Sequence, residues 1–170
     1  MSNRLAPLLD IWFEQKDECQ WVLATIVETQ GSSYRKAGAM MFFNSLGQSF
    51  GLLSGGCLES DLLRQAQKCI NQNTNVLICY DMKDDSDIAW QLGIGCGGLV
   101  KVLLQPIHQA NNYLELIKLR FTLDQRQIAH YKINLDFDKN HVYTDINTSS
   151  FKIHSSFDIE IKTTPALIVF

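Results

Sequence analysis

Apolar residues recur along this chain at two periods, and the switches between them mark out its elements. Leu5, Leu8, Leu9, Trp12 and Phe13 share one face at helical spacing behind Ser2 and Asn3, which are competent caps, and predict an amphipathic opening helix. Residues 21–27 form a continuous apolar run rich in β-branched side chains, closed by Gly31, Ser32 and Ser33, and predict a buried strand. A second strand is expected over residues 38–43, a hairpin turn over 44–47 and a third strand over 48–53. From residue 57 to 71 the positions Leu58, Leu62, Leu63, Ala66, Cys69 and Ile70 fall on one helical face, with Arg64, Gln67 and Lys68 opposite. Residues 75–80 and 99–104 read as two further buried strands, separated by a short helical stretch over 86–92. These five strands are expected to share a sheet.

Beyond Pro106 the pattern changes. A helix is expected over residues 112–121, followed by strand-like alternation at Tyr131, Ile133, Leu135 and Phe137, at Val142, Thr144 and Ile146, and at Phe157, Ile159 and Ile161. Residues 138–140 suit a hairpin turn between the first two of these runs. Residues 166–170 look like a strand buried on both faces that stops without a turn, cap or polar tail, so the chain reads as cut short. The fold class predicted is α+β: a mixed sheet flanked by helices, with a β-rich C-terminal appendage. The divisions expected are 1–105, a connecting region over 106–164, and the opening strand of a further domain over 165–170.

Composition narrows the function classes. With 170 residues, 46% hydrophobic and 19% charged, the chain can build a sizeable core. The net charge of -3 arises within residues 1–105, where 8 basic and 11 acidic side chains give -3, while residues 106–170 carry 7 of each. Nucleic acid is therefore not an expected partner. No apolar run approaches the roughly 20 residues that span a bilayer, so no membrane partner is expected and the cytoplasm is the default location. Five cysteines, odd in number and without a C-x-x-C pair, are expected to be reduced. All four histidines lie beyond the glycine-rich half, which leaves no Cys/His zinc spacing.

The chemistry concentrates where the glycines do, since all ten lie between Gly31 and Gly98. Ser54, Gly55 and Gly56 break an apolar run just before Cys57, where a helix is expected to begin. Such a junction exposes backbone amides and stabilises a thiolate or an anion. A glycine-rich turn beside a buried, inert cysteine is the alternative reading. Gly93-Ile-Gly-Cys-Gly-Gly98 satisfies G-x-G-x-x-G literally, but it follows a helical stretch and precedes a strand, the reverse of the dinucleotide-binding context. What remains is a second glycine-flanked thiol, Cys96, in a nest of amides. Asp81, Asp84, Asp85 and Asp87 lack the spacing of a calcium loop and read as a solvated, helix-capping turn. Cys69 and Cys79 are expected in the core, whereas Cys57 and Cys96 are candidate ligands for a soft metal and are expected to converge with the loop around Gly31.

Three ordered motifs, Ala24-Thr-Ile-Val-Glu-Thr-Gln-Gly-Ser-Ser-Tyr-Arg-Lys-Ala-Gly-Ala-Met40, Gly51-Leu-Leu-Ser-Gly-Gly-Cys-Leu-Glu59 and Gly93-Ile-Gly-Cys-Gly-Gly98, resemble the XdhC/CoxI family of xanthine dehydrogenase accessory proteins. The likeness covers roughly residues 5–105 well, the following stretch weakly, and residues 165–170 again, where the family's Rossmann domain would open. The resemblance implies a cytoplasmic, dimer-forming maturation factor. Such a factor would bind the molybdenum cofactor (molybdopterin) while a cysteine desulfurase supplies sulfur, then deliver it to a xanthine dehydrogenase-type molybdoenzyme. Carried onto this chain, the cofactor-binding candidates are Gly31, Ser32, Ser33, Arg35, Ser54, Gly55, Gly56, Cys57, Glu59, Gly95, Cys96, Gly97 and Gly98, with Cys57 and Cys96 nearest the metal. The cofactor's phosphate needs amides and cations, to be supplied by Ser32, Ser33, Arg35 and Lys36 or by the helix end at Cys57. Two other classes stand beside this one: an enzyme with Cys57 as nucleophile, and a dimerisation module whose function resides in a Rossmann domain.

Overall fold

Trp21–Gln30 (β1) lies at the centre of a five-stranded sheet, and its first seven residues are all buried, as an unbroken apolar run requires. The computed structural model describes residues 4–56, 58–81, 98–134, 141–144 and 158–163. They fall into two units, Lys16–Pro106 in one and Arg4–Gln15 with Ile107–Phe170 in the other.

In the first unit β1 is joined by Met40–Asn44 (β2), Ser49–Phe50 (β3), Val76–Asp81 (β4) and Leu99–Ile107 (β5), in the order β3-β2-β1-β5-β4. The five expected strands do share one sheet. β1 meets β2 with Trp21 opposite Asn44 and Thr25 opposite Met40, and β4 meets β5 with Val76 opposite Leu104 and Asp81 opposite Leu99. Both pairs are antiparallel, as is β2 with β3. Gly98, at the start of β5, lies beside Gln30 at the end of β1, so these two also run in opposite directions. The α+β class stands, with an antiparallel sheet where a mixed one was expected. The third strand is shorter than its apolar run suggested, because Gly51 takes φ +103° and breaks the extended path.

The β2–β3 hairpin is closed by the buried Asn44, whose Oδ1 accepts from the amides of Leu46 at 3.1 Å and Gln48 at 2.9 Å. Glu59–Gln72 (α2) pins that turn, since Gln67 Nε2 donates to the Asn44 carbonyl at 2.8 Å. One face of α2 (Leu58, Leu62, Ala66, Cys69, Ile70) packs on Val22, Ala24, Ile26, Met41, Phe43, Val100, Val102 and Leu104. Burying a side chain such as Leu62 or Phe43 contributes about 1.5–3 kcal/mol, so this layer is the main source of cohesion. The helix stops at Asn73, which adopts φ 49° and donates its N–H to Ile70. At its other end the buried Asp61 accepts from Tyr80 Oη at 2.7 Å and pairs with Arg64, tying the first turn of α2 to the end of β4.

Cys79 departs from expectation: it is exposed rather than in the core. β4 is the outermost strand of the described sheet, and its burial alternates, turning Leu77 and Cys79 outward while Tyr80 is buried. Val76, Ile78 and Tyr80 pack on the core cluster that includes α2, and the opposite face of β4, with Leu77 and Cys79, stays exposed.

The second unit contains Leu5–Gln15 (α1), a tight segment over Gln109–Glu115, a helix over Leu116–Asp124 (α3) and a three-stranded antiparallel sheet. That sheet is formed by Ala129–Asn134 (β6), His141–Thr144 (β7) and Asp158–Thr163 (β8), in the order β7-β6-β8. Helices α1 and α3 are joined by Arg120 Nε, which donates to Asp10 Oδ1 at 2.7 Å while the guanidinium lies 4.6 Å from the Phe13 ring centre. The helix expected over residues 112–121 begins only at Leu116. Ahead of it Asn112, Tyr113, Leu114 and Glu115 take φ values of 53°, 51°, 53° and 60°, a left-handed run without a glycine. Such residues cost about 1–2 kcal/mol each. Three contacts hold the run: the reciprocal pair in which His108 N–H donates to Asn111 Oδ1 and Asn111 N–H to His108 Nδ1, each at 3.2 Å, the Trp12 ring against Tyr113 at 6.0 Å, and Tyr131 Oη donating to the Leu114 carbonyl at 2.8 Å.

The caps at Ser2 and Asn3, the helical stretch over 86–92, the carboxylates Asp84, Asp85 and Asp87, the turn at 138–140 and the strand at 166–170 lie outside the described residues. Among the described residues no helix is long and apolar enough to cross a membrane.

Candidate functional site

The connection between β1 and β2 is anchored by backbone bonds at its base, Ile26 N–H to Ala39 O at 2.9 Å and Gly38 N–H to Ile26 O at 2.8 Å. Residues 31–37 project beyond that base. Gly31 starts the excursion at φ +74°, a conformation available to glycine without strain. Ser32 is exposed, Arg35 is partly buried, and the Ser33 hydroxyl is buried with no hydrogen-bond partner among the described residues.

Two other glycine-bearing segments meet this loop. A β-carbon built on Gly98 would stand 2.3 Å from the Ser32 carbonyl oxygen and 2.6 Å from that of Gln30, so the backbones touch where any side chain would collide. On Gly55 it would stand 3.2 Å from Cδ2 of Tyr34, so the Tyr34 ring rests on the turn after β3. Gly31, Ser32, Ser33, Ser54, Gly55, Gly56 and Gly98 therefore belong to one corner of the first unit. Cys57, Gly95, Cys96 and Gly97 lie outside the described residues; Cys57 follows Gly56 directly in the sequence, and the other three immediately precede Gly98. Among the described residues no group of three His, Cys, Asp or Glu side chains is arranged to hold a metal ion.

Glu59 organises the turn. Its Oε1 accepts from the amides of Leu53 at 2.9 Å and Ser54 at 2.8 Å, and its Oε2 accepts from the Gly56 amide at 2.9 Å and from the Ser54 hydroxyl. Ser54 Oγ in turn accepts from the Leu58 amide at 2.7 Å. Burial pushes the Glu59 carboxyl up, but the hydrogen bonds from Ser54 and Leu53 outweigh it and hold the group below the usual carboxylate range. α2 starts at Glu59 rather than at Cys57, and the amides on both sides of Cys57 are already engaged. The turn amides just ahead of the helix are thus engaged by the chain's own carboxylate and serine hydroxyl.

At the same end of the sheet Lys101 Nζ on β5 donates to Glu28 Oε2 on β1 at 2.6 Å, and Gln30 Nε2 donates to Glu28 Oε1 at 2.7 Å. The Lys101 contact lowers the Glu28 carboxyl, and Glu28 raises the Lys101 amine. This pair braces the two strand ends on which Ser32 and Gly98 sit.

Tyr34 is the residue of this corner that sequence pattern alone misses. Its neighbours Ser33 and Arg35 stand out for hydrogen bonding and charge, whereas an aromatic in a loop of glycine, serine and basic residues is itself the signal.

Comparison with known proteins puts this corner in context. Residues 15–81 match the model of the XdhC and CoxI family. Over 102 residues the chain is 45% identical to a probable xanthine dehydrogenase subunit of Bacillus subtilis (strain 168), covering 60% of this chain and 30% of that one. Over 106 residues it is 27% identical to the molybdenum cofactor insertion chaperone PaoD of Escherichia coli (strain K12), covering 62% and 31%. The fold matches the crystal structure of a xanthine dehydrogenase from Bacillus halodurans with a TM-score of 0.74 at 27% identity, covering 97% of this chain and 53% of that chain. The chain spans about a third of the length of the curated relatives it matches. The matched residues 15–81 carry β1, the 31–37 loop, the Ser54–Gly56 turn and α2, and over them the chain is similar to the XdhC and CoxI family.

Proposed function

We propose that this chain is an accessory factor for a xanthine dehydrogenase-type molybdoenzyme, binding the molybdenum cofactor and supporting its sulfuration and insertion. The observation that carries the reading is the meeting of three glycine-bearing segments at Ser32, Gly55 and Gly98, in a chain similar to a molybdenum cofactor insertion chaperone. These contacts are the chain's own, and they bring three loops to one corner where a single ligand can meet all of them. The residues present fit the cofactor. The Ser33 hydroxyl is buried and unpaired among the described residues, and Arg35 and Lys36 follow it in the same loop. The cofactor would supply the molybdenum centre and its dithiolene sulfurs. Cys57 and Cys96 are the thiols of this chain closest in sequence to the corner, and a soft thiolate suits that metal. A cysteine desulfurase as sulfur donor, a homodimeric state and a cytoplasmic setting belong to the same proposal.

The test is anaerobic purification of the chain followed by oxidation and measurement of pterin fluorescence per mole of protein. A signal well above that of an unrelated protein prepared in parallel is expected. A preparation indistinguishable from that control would sink the cofactor reading.

A further inference from the structure

Tyr34 is 61% exposed, yet its ring is not loose. The ideal β-carbon position on Gly55 lies 3.2 Å from Cδ2, 3.3 Å from Cε2 and 3.5 Å from Cγ of Tyr34. An in-plane approach to Cδ2 would leave both its ring neighbours much farther away, so the ring meets Gly55 with its face. Gly55, at φ +78°, provides a seat with no side chain, and the exposure of Tyr34 leaves most of the rest of the ring accessible.

What surrounds this ring limits what it can recognise. The amides of Leu53, Ser54 and Gly56 already donate to Glu59, so the turn beneath Tyr34 presents a surface and not a set of free anion donors. The ring projects from the same loop as the Ser33 hydroxyl, which is unpaired among the described residues. An aromatic ring held in place by a glycine and largely accessible is suited to stacking, which is sequence-tolerant in nucleic acids because every heteroaromatic ring has a π-face.

We propose that Tyr34 is the stacking platform of this site, against which the planar heteroaromatic ring of the ligand lies. The inference rests on the cofactor reading above, under which that ring is the pyrimidinone ring of the cofactor's reduced pterin. Tyr34 recognises shape and π-surface, while the Ser33 hydroxyl of the same loop is left for the ligand's polar end. Stacking of this kind is worth on the order of tenfold in affinity.

The wild-type chain and its Tyr34→Leu, Tyr34→Phe and Gly55→Ala variants are purified anaerobically, and retained pterin is measured after oxidation. Each is also titrated with free pterin, using inorganic phosphate as a ringless control. Tyr34→Leu is expected to lower pterin retention and weaken free pterin binding by roughly tenfold, with Tyr34→Phe within about twofold of wild type. Gly55→Ala keeps the tyrosine but shifts its ring by a few tenths of an ångström, so its binding should lie between those of wild type and Tyr34→Leu. Phosphate binding should be unchanged in all four. Because Tyr34 is exposed, the thermal melt of Tyr34→Leu should match wild type, which separates lost stacking from lost fold. A wild-type chain that carries no pterin sinks the cofactor reading. A wild type that carries it, alongside a Tyr34→Leu variant that carries as much, sinks only the role given to Tyr34.

Discussion

Gly98 stands so close to Ser32 that a β-carbon on it would lie 2.3 Å from the Ser32 carbonyl oxygen. Both Ser32 and Gln30 meet it with backbone atoms, which cannot swing aside as a flexible side chain does. Gly98→Ala is therefore expected to lower stability by about 1–3 kcal/mol, as overpacking does, and to displace the 31–33 loop. Urea unfolding measures the first effect, and limited proteolysis of the loop the second. An unchanged midpoint would mean that the two segments separate freely.

Glu59→Gln preserves shape but supplies one acceptor oxygen and an NH2 group where four donors converge. It should cost about 1–3 kcal/mol and come close to Glu59→Ala. Amide hydrogen exchange at Leu53, Ser54 and Gly56 should accelerate while the β1 amides stay protected. If the glutamine variant kept the same protection as the wild type, the converging donors would not be what holds the turn.

Asp61 gives the first unit an acid-sensitive joint. Burial pushes its carboxyl up, but hydrogen bonds from Tyr80 and Arg64 prevail and leave it below the ordinary value. A folded-state value below the unfolded one contributes stability above about pH 4, and that contribution is lost as pH falls through the folded value. Asp61→Asn should be less stable than wild type at pH 7, and the gap should narrow on acidification. Urea midpoints from about pH 7 down to about pH 2 check this, and a gap that stays constant would count against the joint.

Cys69 and Cys79 should separate in a thiol-labelling experiment. Burial raises the Cys69 thiol to about 12, and its Sγ–H donates to the Thr74 carbonyl at 3.1 Å. Cys79 is exposed. Iodoacetamide at mildly alkaline pH should modify Cys79 in the native protein and Cys69 only on unfolding, with peptide mapping by mass spectrometry as the readout. Native modification of Cys69 at a comparable rate would contradict its packing under α2.

Much of the first unit was legible from residue pattern because its strands are long apolar runs and α2 is strongly one-sided. The hairpin at Asn44 was legible for the same reason, since its turn residues have a mechanism. Cys79 was misplaced because a short apolar run does not reveal whether its strand is covered on one face or on both; neighbours decide that. Glu59 is a cofactor-binding candidate through the family resemblance alone, and nothing local in the sequence says that its carboxylate folds back onto the turn amides. Tyr34 and Gly98 gain their roles from contacts across 21 and 66 residues of sequence respectively, distances over which local patterning carries no information. The left-handed run was illegible in a stricter sense, for Asn112, Tyr113, Leu114 and Glu115 read as ordinary helix formers or helix neighbours.

That run also depends on distant parts of the chain. No local preference winds four such residues against the handedness of the helix they lead into, so the turn has no reason to form by itself. Beside the local His108–Asn111 pair, its supports come from Trp12, about a hundred residues earlier in the chain, and from Tyr131, beyond the following helix. Without those partners, the cheapest course for the segment is the right-handed spiral its side chains favour. The reversal of screw sense is thus held by contacts that reach the segment from both ends of the second unit.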